Sequence, residues 1–352
     1  MFTRHVNRWK LGALGILAIS AVVAGVLASA ASPASHRTAA TKITGAGSSF
    51  VFPLVSTWIP VVGSSLGIDL TYAAVGSGAG IAQITARTVD FGASDAPMTA
   101  DQFSACKGCV QIPWALAATS IPYNLPGLKK QVRLTGPVIA NIYLGTITQW
   151  NDPQIQKLNP GLTLPSTKVT PVYRSDNSGT TYNFTDYLSA VSPAWKSKIG
   201  VGQNANWPAG VGGAKSAGVA GVISHTEGAI GYVDIAYAKS SKLQVASVRN
   251  KAGVFAQPGL RGAAAAAATV KTVPPNNELH IVDPPASQKL AYPICTFTYV
   301  ILPTSTSKAA DLRKLTFWAL TKGQAYGPKL LFVPIPKVVL AASEKTLKQV
   351  QS

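Results

Sequence analysis

Three times along this chain a short strand-like run breaks into a Gly/Ser turn that opens a helix, and that recurrence commits the sequence to the α/β class. The first unit runs from Ile43-Thr44 through Gly45 to Phe50, into a helix with Leu54, Val55, Trp58, Ile59 and Val62 apolar. The second runs from Asp69 to Val75, turns at Gly76-Ser77-Gly78-Ala79-Gly80, and continues as a helix from about Ile81 to Thr85. The third joins a strand over Val169 to Tyr173 to a helix carrying Tyr182, Phe184, Tyr187 and Leu188 at near-helical spacing.

The third turn, Arg174-Ser175-Asp176-Asn177-Ser178-Gly179-Thr180-Thr181, has the chemistry of an anion receptor. Ser178 is placed to cap the helix, and Gly179 lets the backbone come close to a ligand. The unpaired first-turn N–H groups then point at negative charge. Arg174 adds a planar fork of donors, which Asp176 can steady from its other side. Between the second and third units, Val89 to Pro97 reads as a short buried strand ending at Asp95. A lone buried carboxylate costs several kcal/mol unless compensated, and beside an anion the compensation is a proton on the ligand. Each turn taken singly also fits a plain strand–helix connection, the third as a capped helix with a surface Arg–Asp pair. A dinucleotide fold is the alternative for Gly76-Ser77-Gly78, but Asp95 lies in a loop, away from the end of a second Rossmann strand.

The 352 residues, 47% hydrophobic, are enough for a large core and suggest two lobes. Lys and Arg number 31 against 13 Asp and Glu, with only three Glu (Glu227, Glu278 and Glu344), so the +18 charge reflects a shortage of acids. Such a field draws anions. No run of consecutive cations and no recognised motif points to nucleic acid. Arg4, Arg8 and Lys10 precede a long apolar run and Ala28-Ser29-Ala30, the pattern of a secretory signal over residues 1–30, with an uncleaved anchor as the alternative. Residues 31–41 read as a disordered tail. No Cys lies near the junction, so a lipoprotein is not expected and the mature chain belongs outside the cytoplasm. There, Cys106 and Cys109 are candidates for a short disulfide, a redox motif being the alternative, while Cys295 reads as a buried strand residue. A secreted hydrolase is the rival from another class, but no Ser-His-Asp or metal-ligand spacing supports it.

Ile112 to Ile121 and Tyr292 to Leu302 read as strands that leave and re-enter the first lobe. Between them the pattern suggests a helix over Leu134 to Trp150, another near Gly218 to Ser224, the strand Ile230 to Val233, and a solvated Ala-rich helix over Gly262 to Val270. Ser307 to Thr321 is amphipathic through Leu312, Leu315, Phe317 and Trp318 and is expected to pack on the first lobe. The boundaries that follow are 42–116 with 291–352 for one lobe and 117–290 for the other.

In this order, Thr44 to Phe50, Gly76-Ser77-Gly78, Asp90 to Pro97, Ile142 to Gly145 with Trp150-Asn151-Asp152, Leu158 to Gly161, Arg174 to Thr181 and Gly228 to Val233 resemble the PstS family, the phosphate-binding proteins of phosphate ABC transporters. The resemblance spans nearly all of the chain after the signal. It implies a type II periplasmic binding fold, two α/β lobes joined by crossing hinge strands with the ligand in the cleft. It further implies a monomer without enzymatic activity that captures inorganic phosphate in the periplasm and hands it to permease subunits. The phosphate contacts it implies are Ser49, Phe50, Ser77, Asp95, Arg174, Ser178, Gly179 and Thr180, with Asp176 in support. Ser49 stands where many members of the family have Thr. The Cys-Lys-Gly-Cys insertion and the strong positive charge depart from the family pattern.

Overall fold

The structure is a computed structural model that describes residues 40–352. The signal segment and nearly all of the expected tail lie outside the described residues. Thr41, included in that tail, pairs with Ile68, so the first strand starts one residue before Lys42.

One sheet of six strands runs in the order Val233–Asp234, Cys109–Ser120, Cys295–Pro303, Phe91–Ser94, Thr41–Gly47, Ile68–Ala73. The last three are parallel to one another, and Cys295–Pro303 runs antiparallel to its neighbours on both sides. A second sheet has five strands in the order Gln244–Val245, Pro122–Tyr123, Ala229–Ile230, Thr170–Arg174, Val211–Gly213. The chain passes from the first sheet to the second between Ser120 and Pro122, lends Val233–Asp234 to the edge of the first, and re-enters the first at Cys295, where the two expected crossing strands pair with each other. Their ladder slips between Thr298 and Tyr299, which face Ala115 and Pro113, leaving Trp114 as the extra residue of a bulge. Pro113 has no N–H to give the ladder. The bulge turns Trp114 into the core, 5.3 Å from Trp58 and 5.9 Å from Phe91 between ring centres, and its indole donates to Thr298.

Helix Phe52–Leu66 carries Pro53 in its first turn, buries Leu54, Val55, Trp58 and Val62, and stops at Gly67 with φ 66°. The second expected helix begins four residues early, at Ser77, which puts Ser77 in the first turn itself. The long helix expected over Leu134 to Trp150 is shorter. Arg133–Thr135 is a strand, Thr135 caps helix Gly136–Tyr143, and Gly145 at φ 74° carries the chain away. The Ala-rich helix, Leu260–Ala267, is not solvated all round: Ala263, Ala266 and Ala267 are buried, and Gly262 lies against Tyr292 too closely for a side chain. In Ala309–Leu320 the buried face is Leu312, Leu315 and Trp318, whereas Phe317, one residue off the stripe, is 51% exposed.

The segment around Asn277 falls in the 117–290 lobe by sequence, yet its side chain donates to the Gln111 carbonyl and to Thr346. Cys106 and Cys109 are bonded, with Cα atoms 5.7 Å apart, and the Arg87 guanidinium lies 3.3 Å from both sulfurs. Cys295 is buried, which pushes its thiol well above the usual range. Among the described residues no helix is long and apolar enough to cross a membrane.

Candidate functional site

All three Gly/Ser turns converge at the place where the two sheets face each other. The first follows strand Thr41–Gly47. Gly47 sits at φ 144°, and a Cβ there would fall 2.0 Å from the Ala93 carbonyl oxygen, so only glycine fits. Beyond it, Ser48 Oγ accepts the backbone N–H groups of Phe50 and Val51 and donates its own proton to Asp95 Oδ1. Ser49 turns toward the other sheet, its Oγ 2.9 Å from Ser216 Oγ. The Phe50 ring is buried against Phe332.

Asp95 lies just after strand Phe91–Ser94 and is 2% exposed. Its Oδ2 accepts from Thr180 Oγ1 at 3.3 Å, its backbone N–H donates to Ser77 Oγ at 3.2 Å, and its carbonyl accepts from Thr296. Burial pushes its carboxyl up to about 6, against the pull of the Ser48 hydroxyl, the Arg174 charge and the Thr180 and Ser77 hydroxyls. Above that pH it is a desolvated acceptor with no proton to give.

In the other half, strand Thr170–Arg174 delivers Arg174 to the same spot, also 2% exposed. Its guanidinium grips Asp176 through two parallel bonds, Nε to Oδ1 at 2.8 Å and Nη2 to Oδ2 at 2.6 Å. Its Nη1 lies 3.4 Å from Thr180 Oγ1. Partial burial works against ionisation of Asp176, but the Arg174 bonds and charge, with the Lys215 N–H, hold its carboxyl below the usual range. Ser178 caps helix Gly179–Val191, its Oγ accepting from the Thr181 N–H at 3.1 Å. A Cβ on Gly179 would stand 2.6 Å from the backbone nitrogens of Asp95 and Ala96, and one on Gly78 would meet Asn177. The Gly78 N–H also donates to the Asn177 carbonyl at 3.1 Å. The halves therefore touch backbone to backbone, through glycines.

Ser49, Ser77, Asp95, Arg174, Ser178, Gly179 and Thr180 thus lie in one buried cluster with Asp176 behind Arg174, and Phe50 contributes backbone there. Sequence reasoning missed three participants. Ser48 sits inside the Thr44-to-Phe50 stretch with no role that its sequence neighbours reveal, although it holds Asp95. Tyr232 accepts the Arg174 N–H at 3.1 Å and lies 2.7 Å from Thr181 Oγ1. Ser216 belongs to helix Lys215–His225, which begins a turn before its expected start, and no local signal marks it.

The cluster presents the Asp95 carboxylate, the Arg174 guanidinium steadied by Asp176, several hydroxyls and the helix starts that follow the three turns, a set suited to holding a small oxyanion that carries a proton. Among the described residues no group of three or more His, Cys, Asp or Glu is disposed to hold a metal ion.

Residues 32–316 match the model of a PBP superfamily domain. The chain is 40% identical over 307 residues to the phosphate-binding protein PstS of Xylella fastidiosa, covering 86% of this chain and 84% of that one. It is 37% identical over 313 residues to PstS of Haemophilus influenzae, covering 88% and 93%. In three dimensions it resembles a high-affinity periplasmic phosphate-binding protein bound with phosphate, at a TM-score of 0.72 and 21% identity, covering 87% of this chain and 93% of that one.

Proposed function

This chain belongs to the PstS family of phosphate-binding proteins, and on that premise we propose that it captures inorganic phosphate outside the cytoplasm and presents it, chemically unchanged, to the membrane permease of an ABC transporter. The observation that carries this reading is the pairing, in one buried cluster, of an acceptor-only Asp95 with the donors of Arg174, Ser49, Ser77 and the Gly179–Val191 helix start.

Phosphate near neutral pH keeps at least one proton; sulfate keeps none. A P–OH can donate to Asp95, while the unprotonated oxygens take bonds from the hydroxyls, the N–H groups of Gly179 and Thr180, and Arg174. An anion without a proton sets a bare oxygen against the acceptor-only Asp95, like charge to like charge, which costs several kcal/mol. Asp176 keeps the guanidinium plane fixed, so little ordering remains to be done on binding. Because Asp95 and Arg174 come from opposite halves, the ligand engages its full set of partners only with the halves together, and it therefore favours the closed arrangement. That closed arrangement is a surface a permease can distinguish from the open one.

Isothermal titration with phosphate, arsenate and sulfate tests the reading. Phosphate is expected to bind one to one, arsenate to compete because it is protonated and similar in shape, and sulfate to give no heat. Strong sulfate binding, or turnover of p-nitrophenyl phosphate by the purified protein, would overturn it.

A further inference from the structure

Ser216 ties the two halves together through its hydroxyl as well as its backbone N–H. It opens helix Lys215–His225 in the second half and is fully buried, and Ser49, which it meets, is 2% exposed in the first half. The Ser216 backbone N–H donates to Ser49 Oγ at 3.1 Å, and the two hydroxyl oxygens lie 2.9 Å apart. Lys215, just before it, is held at φ 60° and points its own N–H at Asp176 Oδ1, 2.9 Å away. Successive amides of one segment thus reach the carboxylate that grips Arg174 and the hydroxyl that closes the cleft from the other side. A left-handed conformation at a lysine is uncommon, and here it is what aims the two amides.

A hydroxyl has one proton to give and two sites at which to accept. Ser216 Oγ makes no other hydrogen bond among the described residues, so Ser49 is its one partner. We propose that Ser216 is a positioning residue that sets the polarity of Ser49: its N–H and its O–H both donate into Ser49 Oγ, fill both acceptor sites, and leave the Ser49 proton free for an anion alone. Ser49 then acts only as a donor, just as ionised Asp95 acts only as an acceptor. The two residues divide the ligand's surface between them, bare oxygens to Ser49 and the P–OH to Asp95. A donor chain ending on an anion also polarises along its length, so the Ser49 bond is stronger than that of an isolated hydroxyl. This inference rests on the phosphate-binding reading and adds to it a residue on the second half that need not touch the ligand.

A double-mutant cycle separates this role from plain packing. Phosphate affinity is measured by titration for the parent, Ser216→Ala, Ser49→Ala and the double variant, with melting temperatures taken without ligand. Ser216→Ala is expected to weaken phosphate about 3- to 10-fold, the worth of one hydrogen bond, and to have no further effect in the Ser49→Ala background. Parent-like affinity in Ser216→Ala, or an equal loss with and without Ser49, overturns the assignment and leaves the phosphate reading standing. A parent that binds no phosphate overturns both.

Discussion

Gly179 stands so close to Asp95 that a single methyl group on it would lie 2.6 Å from the Asp95 backbone nitrogen. The glycine opens helix Gly179–Val191 in one half and the aspartate ends a strand in the other, so this contact exists only when the halves are together. Gly179→Ala is expected to act as a wedge. Forcing a methylene-sized group into a packed site costs about 1–3 kcal/mol, so phosphate affinity should fall roughly 5- to 150-fold. The ligand-free protein, free to open, should melt within a few degrees of the parent. Titration and small-angle scattering check this, the variant remaining more extended at a phosphate concentration that closes the parent.

Asp95→Asn replaces an acceptor-only group with one that also donates. Phosphate binding should weaken by at least an order of magnitude and sulfate should become a measurable ligand, because the repulsion that excluded it is gone. Competition titration of the variant with both anions checks the outcome, and unchanged selectivity would remove Asp95 from its role.

The same substitution has a pH signature wherever the halves are together and Asp95 is buried between them. A carboxyl raised to about 6 by burial keeps its proton in the folded protein at pH values where the unfolded chain has lost it. Stability therefore falls as pH rises from about 4 through about 6, by up to about 3 kcal/mol for a two-unit shift. Asp95→Asn should recover up to that amount at pH 7.5 and nothing at pH 4, as read from urea unfolding at both values.

Asp176 grips Arg174 from behind and accepts the Lys215 N–H as well. Asp176→Ala leaves a buried guanidinium without its partner and frees its orientation, so phosphate affinity should drop about 10- to 100-fold, a loss of about 1.4–2.8 kcal/mol. Titration at low and moderate salt reads this.

His280 is held between Asp186 and Glu278, and the Asp186 bond, with Glu278 adding to it, raises the ring to about 9 despite partial burial. A histidine raised in the folded state contributes stability that is fully present below its ordinary value, 6.5, and is lost as pH rises through about 9. With the ring 46% exposed, solvent screening limits the effect to about 1 kcal/mol or less. His280→Gln should therefore destabilise at pH 6 and be neutral at pH 10 by thermal melting.

The local chemistry of the site is legible in the sequence itself. Arg174, Asp176, Ser178 and Gly179 fall within a few residues of one another, and the fork, the cap and the close approach all follow from neighbours in sequence. The crossing strands were legible as apolar runs too long for a surface. Contacts between distant segments were not: nothing near Ser216 points to Ser49, and nothing near Asn277 points to Gln111, because each pairing is made by the fold and leaves no local period or cap. The helix over Leu134 to Trp150 was overdrawn because an apolar run does not show where a cap begins it or where a glycine ends it. Phe317 was misassigned because helical spacing tolerates a neighbour one position off the buried stripe.

The bulge at Trp114 fixes a parity. Side chains alternate along a strand, so one additional residue exchanges inward and outward for everything beyond it. Thr119 owes its orientation to that exchange, and with it the bond to Asn183 that ties the crossing strand to the Gly179–Val191 helix. Excising Trp114 alone would leave Ala115 opposite Thr298 in an unbroken ladder and remove the indole that packs between Trp58 and Phe91. One odd residue is thereby absorbed into the core while the ladder keeps its pairing on both sides.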